Sequence, residues 1–167
     1  MVRSIIWAVV FVIIAGILQS TLLARLALYH AVPDLALGIL VYSAYTNGVM
    51  TGQLAGFCSG LFLDFLSAAP LGLNALVRTV VGAAGGLMRG SFFLDAIFLP
   101  MALCAGATLF KALLLGLLHL LFSGTVPSYR FSEPTLWVEL LLNTAAAPLL
   151  FFLLKRFNPL LQSRRES

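Results

Sequence analysis

Charge is what this chain has least of. Only 10% of its 167 residues are charged, against 61% hydrophobic. Ten Lys/Arg and six Asp/Glu cannot coat a soluble core of this size, so a soluble domain is excluded. Cysteine is equally scarce. Cys58 and Cys104 each sit inside an apolar run, with no CxxC and no Cys/His ligand spacing. They read as small hydrophobes packed in helices, and metal or redox chemistry loses its support. A GxxxxGK[ST] phosphate loop, an HExxH and a GxSxG are all missing. Ser, His and Asp occur without any local arrangement that suggests a nucleophile. No enzyme, no cofactor and no metal site is expected.

What is present is membrane. Apolar runs follow one another from Ile5 to Leu154, and mean hydropathy is +1.05. A transmembrane helix needs roughly 20 such residues to cross the hydrocarbon core. The expected fold is all-α: a polytopic membrane helix bundle, one integral domain over residues 1–167. About six spans fit. They are 5–23, 35–45, 49–66, 73–88, 94–122 and 135–154. The second is short, about 17 Å as a helix, and either extends back past Pro33 or crosses only partly. Pro33-Asp34 opens it, since Pro loses no needed hydrogen bond there and Asp favours the positive end of the helix dipole. The fifth is long enough to kink near Pro100. The sixth carries Pro148. Met1-Val2-Arg3 and the apolar stretch after it outrun a signal-peptide core, so an uncleaved first helix is expected.

The net charge of +4 resembles a nucleic-acid signal until its residues are placed. An even number of spans puts both termini on one side. With that side cytoplasmic, Arg3, Arg89, Lys155, Arg156, Arg164 and Arg165 fall inside, and Arg25 and Arg130 outside. That is the bias of the positive-inside rule. It predicts a multi-pass membrane protein with both termini in the cytoplasm and no nucleic-acid partner. Trp7, Trp137, Tyr29 and Tyr129 then fall near the two interfaces, where aromatic anchors are favoured.

Two glycine ladders stand out. Gly52, Gly56 and Gly60 recur every fourth residue in the third span, and Gly82, Gly86 and Gly90 in the fourth. Without a side chain, another backbone can approach closely and gain dispersion contacts. The ladders serve tight internal packing, or one of them serves an oligomer or partner interface.

Four ionisable residues at membrane depth need an explanation: Asp64, Arg78, Lys111 and Glu139. A charge at the bilayer centre costs at least about 2.5 kcal/mol. Asn74, His119 and Asn143 are polar companions. Balanced signs suggest pairs, and adjacency suggests Asp64 with Arg78 and Lys111 with Glu139. Such pairs would fix helix register. The alternatives are an outward solute pocket or a polar contact for a partner helix.

From Pro33 to Arg89 these features form a pattern. It runs Pro33-Asp34-Leu35, Gly48, Gly52, Gly56, Gly60, Leu63-Asp64, Pro70-Leu71-Gly72-Leu73-Asn74-Ala75-Leu76, Gly82, Gly86 and Arg89. It resembles the MreD family of the bacterial rod-shape machinery. The motif-bearing part covers about a third of the chain. Two departures are mild: a His is common in the family where Asn74 stands, and a Tyr where Ala83 stands.

The resemblance implies a bacterial inner membrane protein, a fold similar to the substrate-binding subunits of energy-coupling-factor transporters, and no catalytic activity. It implies a scaffold in cell-wall elongation that works beside MreC, a single-span protein with an extracytoplasmic domain. Together they would connect MreB filaments to RodA and a class B penicillin-binding transpeptidase. Pro33, Asp34, Pro70 and Asn74 would form the periplasmic end against which MreC packs. Lipid surrounds the bundle, and a homo-oligomer remains open. The competing reading is a small-solute-binding membrane subunit of a transporter, which needs aromatic and polar side chains converging on one outward pocket. A third is a helper for moving a lipid-linked precursor, which needs Lys111 facing a groove rather than buried against Glu139.

Overall fold

The computed structural model describes residues 2–21, 31–67, 69–90, 97–122, 126 and 134–161. Seven helices order these residues: α1 (Val2–Thr21), α2 (Leu35–Asn47), α3 (Val49–Leu66), α4 (Leu73–Leu87), α5 (Phe98–Leu121), α6 (Pro134–Arg156) and α7 (Asn158–Leu161). Among the described residues four helices, α1, α3, α5 and α6, are long and apolar enough to cross a membrane, while α2 and α4 are shorter apolar helices. Arg25, Tyr29, Tyr129, Arg130, Arg164 and Arg165, which entered the charge and anchor arguments, lie outside the described residues.

The short second helix occupies the centre. Every residue from Ala36 to Ala44 is buried, so α2 has no lipid-facing stripe. It touches α1, α3, α4, α5 and α6. At 13 residues it is about 20 Å long. It does not extend back past Pro33, because Asp34 caps it: Asp34 Oδ1 accepts from the Leu37 backbone N–H at 2.9 Å. Gly48, at φ +100°, is the sole residue between α2 and α3. A side chain is disfavoured at that angle, which is why the chain can reverse within one residue.

α3 and α4 form an antiparallel hairpin with backbones in contact. A side chain on Gly52 would overlap the Gly82 carbonyl, and one on Gly56 the Arg78 carbonyl. A Cβ on Gly60 would stand 2.6 Å from Ala75 Cα, and one on Gly86 2.5 Å from Val49 Cα. All five glycines are buried. The ladder faces therefore meet across the hairpin, which leaves none of the five on an outward interface. Gly90 does not belong to this face. It lies beyond α4 at φ +75°, with open space around it.

Around α2 the core gathers Ala8, Val12 and Ala15 of α1, Val77 and Val81 of α4, Leu103 and Ala107 of α5, and Ala147, Phe151 and Leu154 of α6. Tyr42 and Phe151 meet edge to face at 4.9 Å. The outward faces are apolar: Phe65, Leu120 and Phe152 are all more than 70% exposed, as lipid solvation requires. Pro100 lies in the first turn of α5, where its missing N–H removes no helical bond, so the position expected to kink the fifth helix is a helix start instead.

The turn of α7 was not anticipated. It packs back on the bundle through buried Leu161. The Tyr42 hydroxyl donates to Asn158 Oδ1, and the Asn47 side-chain amide donates to the Leu161 carbonyl at 2.8 Å. Arg3 donates to the Pro159 carbonyl, and Arg89 to the Asn47 carbonyl at 3.0 Å. Arg3, Arg89, Lys155 and Arg156 thus collect at one end of the bundle, where the start of α1 meets α7.

Candidate functional site

The opposite half of the bundle holds the buried charged groups, and Asp34 is their hub. As the N-cap of α2 it stands where the central helix begins, 6% exposed. Its Oδ1 also accepts from Arg78 Nη2 of α4 at 3.1 Å, and its Oδ2 accepts from Lys111 Nζ of α5 at 2.9 Å. Lys111 reaches on to Glu139 Oε1 of α6 at 2.6 Å. The Asp34 backbone N–H donates to Asn143 Oδ1 of α6 at 2.6 Å. Asn143 Nδ2 donates to Thr108 Oγ1 at 2.9 Å, and that hydroxyl donates to the Cys104 carbonyl at 2.8 Å. One continuous network therefore ties α2, α4, α5 and α6 together. Charge-assisted bonds of this kind are the strong ones, and low dielectric strengthens them further.

The adjacency argument for Asp64 and Arg78 fails. Arg78 goes to Asp34, and Asp64 has other work. Asp64 is 2% exposed. Its Oδ2 accepts from the backbone N–H groups of Gly72 at 3.0 Å and Ala75 at 3.1 Å. Its Oδ1 accepts from the Asn74 backbone at 2.9 Å and from Asn74 Nδ2 at 3.0 Å. These are the orphan donors at the start of α4, whose own N-cap is Gly72 with no side chain to offer. A carboxylate from α3 supplies the cap, and the helix dipole supplies its counter-charge. Arg78 begins a full turn further along α4, on the face toward α2.

The periplasmic-end assignment also changes. Pro33, Pro70 and Asn74 are half-buried, but Asp34 is buried and committed to Arg78, Lys111 and Leu37, so it cannot serve as a surface contact. His119 stands apart from the network, with Nδ1 2.7 Å from the Val126 carbonyl. Among the described residues no group of three His, Cys, Asp or Glu could hold a metal ion.

Among the described residues, two sizeable cavities lie near this network. One of about 350 Å³ lies between the ends of α1 and α3, lined by Gln19, Ser20, Asp34, Leu66, Asn74 and Arg78 among others. Among the described residues no aromatic side chain lines it. The other, of about 230 Å³, is an apolar recess between α4 and α5 over α2, lined by Val41, Val81, Gly85, Met88, Gly106 and Phe110 among others. The sequence reading found Arg78, Lys111 and Glu139 by their unusual depth. It missed Asp34 as the hub, since the Pro-Asp signature explains a cap without any further partner.

Comparison with curated proteins and with solved structures finds no match. Among family models, that of the rod shape-determining protein MreD matches residues 1–157, nearly the whole chain. The bundle of apolar helices, the interlocked α3–α4 hairpin and the buried polar hub are thus those of a multi-pass membrane protein that belongs to the MreD family.

Proposed function

We infer that this chain is a non-enzymatic scaffold of the cell-wall elongation machinery. It binds MreC and helps link MreB filaments to the peptidoglycan synthases, RodA and a class B transpeptidase. One observation carries this reading: the carboxylates of Asp34 and Glu139 and the ammonium of Lys111 are engaged with one another across helices. Groups so committed brace a frame and are not poised for proton transfer or nucleophilic attack. MreD membership supplies the cellular setting.

In this reading all six longer helices cross the bacterial inner membrane, with α2 enclosed by the other five. Both termini lie in the cytoplasm. The collection of Arg3, Arg89, Lys155 and Arg156 at one end supports that orientation. With Asp34 buried, the recess between α4 and α5 is the better seat for a partner's span. Gly106 is exposed there with open space around it, so a helix backbone can approach.

The transporter-subunit alternative draws on the larger cavity, but among the described residues no aromatic side chain of the kind a capture site uses lines it. The precursor-moving alternative loses its support, because Lys111 is held between Asp34 and Glu139.

The test is purification of the tagged chain from native membranes in mild detergent, with mass spectrometry of what stays bound. Cross-linkers placed at Met88 and Gly106 report the contact face. Retention of an MreC-like single-span protein, captured from those positions, is the expected result. Retention of ATPase and coupling subunits in its place would overturn the scaffold reading.

A further inference from the structure

We propose that the cavity between the ends of α1 and α3 holds the phosphate of a glycerophospholipid, with Arg78 as its main recognition group. Nothing in the scaffold role requires this site.

The first observation is an unmet donor set. The Arg78 side chain is only 9% exposed and lines the cavity. Nη2 serves Asp34, yet Nε and Nη1 are buried without any hydrogen-bond partner among the described residues. A guanidinium has five N–H donors and never loses its charge, so three of them go unused here. Buried donors left unmet are expensive, and a native structure rarely tolerates several on one charged group. The second observation is independent. Gln19 lines the same cavity from α1, and its Oε1, an acceptor, is also buried with no partner among the described residues. A phosphate cannot satisfy an acceptor, but the ammonium of an ethanolamine headgroup beside that phosphate can donate to it.

Donor chemistry selects the occupant. Among the described residues Arg78 is the cation that lines the cavity, beside the Asp34 carboxylate. Asp34 does not take up the spare donors, because Oδ1 already serves Leu37 and Arg78 Nη2 and Oδ2 serves Lys111. Unused guanidinium donors suit a phosphate, whose oxygens accept several N–H bonds at once. The surroundings select a lipid. Leu66 both lines the cavity and is exposed on the bundle surface, beside exposed Phe65 of α3, and Ile17 and Leu18 are exposed on α1. Acyl chains can run from the cavity along these apolar faces while the headgroup sits inside. A soluble phosphate offers the same recognition chemistry without the chains, and the experiment separates the two.

The experiment uses the full chain, delipidated in detergent. It compares the thermal midpoint with phosphatidylethanolamine, with diacylglycerol and with glycerophosphate. Phosphatidylethanolamine is expected to raise the midpoint by about 5 °C, saturably, and diacylglycerol not at all. An additional rise with glycerophosphate would make the natural source soluble; no rise would make it the lipid. Ser20→Trp plugs the cavity from the exposed side of α1, and Gln19→Leu removes the amide; neither residue touches the ion network. Both should abolish the response, while Leu141→Trp, on an exposed face of α6, should keep it. If diacylglycerol acts as well as phosphatidylethanolamine, or if the plugged chain responds like the wild type, the site does not exist. Should the plugged chain fail to fold, Gln19→Leu alone decides between these outcomes.

Discussion

Gly52 and Gly82 face each other so closely that each one's carbonyl fills the place where the other's side chain would be. Close backbone approach recurs one turn away on either side, where a side chain on Gly56 would meet the Arg78 carbonyl and one on Gly86 the Val49 backbone. The α3–α4 hairpin is thus held by backbone contact, and its glycines cannot be exchanged for larger residues.

Gly52→Val should separate the two helices. Backbone offers no give, so the cost should reach or exceed the ~1–3 kcal/mol typical of overpacking. Thermal unfolding in detergent reads it as a lowered midpoint. Gly116→Ala is the contrasting variant. Gly116 lies within α5 with open space around its Cα. The substitution should stabilise the chain by roughly 0.5–1 kcal/mol through helix propensity alone.

Exchanging Asp64 and Arg78 should not rescue either single variant. The two charges serve different partners, Asp64 the start of α4 and Arg78 the carboxylate of Asp34. Asp64→Arg with Arg78→Asp should be at least as unstable as the worse single change. Expression level and melting midpoint of the three variants decide it, and recovery in the double variant would contradict the geometry.

Asp64→Ala should fray α4 from its first turn. Three backbone N–H groups and the Asn74 amide lose their acceptor together. The loss should be about 2 kcal/mol or more, and Asp64→Asn should recover part of it, since an amide oxygen still accepts. Hydrogen exchange at Gly72, Asn74 and Ala75 is the direct measurement.

Lys111→Met should destabilise by about 3–5 kcal/mol, because it leaves Asp34 and Glu139 buried with one fewer counter-charge. Adding Glu139→Gln should return a substantial part, whereas adding Asp64→Asn should not. A double-variant cycle on the melting midpoint measures this coupling.

Hydropathy made the helices legible. The expected 49–66 and 73–88 segments lie within a residue of α3 and α4, since lipid imposes long apolar runs and Gly48 and Gly72 punctuate them. The glycine spacing marked a close-packing face, though it carried no sign that Gly90 falls outside it. Lys111 and Glu139 lie on consecutive long helices, and they are 2.6 Å apart. Arg78 was harder. Its partner is 44 positions away, on a helix cap whose local signature already had an explanation. Pairings between helices distant in sequence are set by packing rotation, which leaves no local pattern. The α7 turn was hidden for a similar reason. Asn158-Pro159-Leu160-Leu161 has no period of its own, and only its docking against Tyr42 and Asn47 orders it.

The sheathed position of α2 constrains how the protein can be made. A helix of 13 residues, headed by an acidic residue and surrounded by five others, has no stable place in the bilayer on its own. Its enclosure is completed by α6, which also delivers Glu139 to Lys111 and Asn143 to Asp34. Until α6 docks, Asp34 faces both Arg78 and Lys111, and one buried positive charge lacks its counter-charge. Closure of the bundle is therefore a concerted step, and a chain cut short before α6 should fail to assemble rather than form part of it.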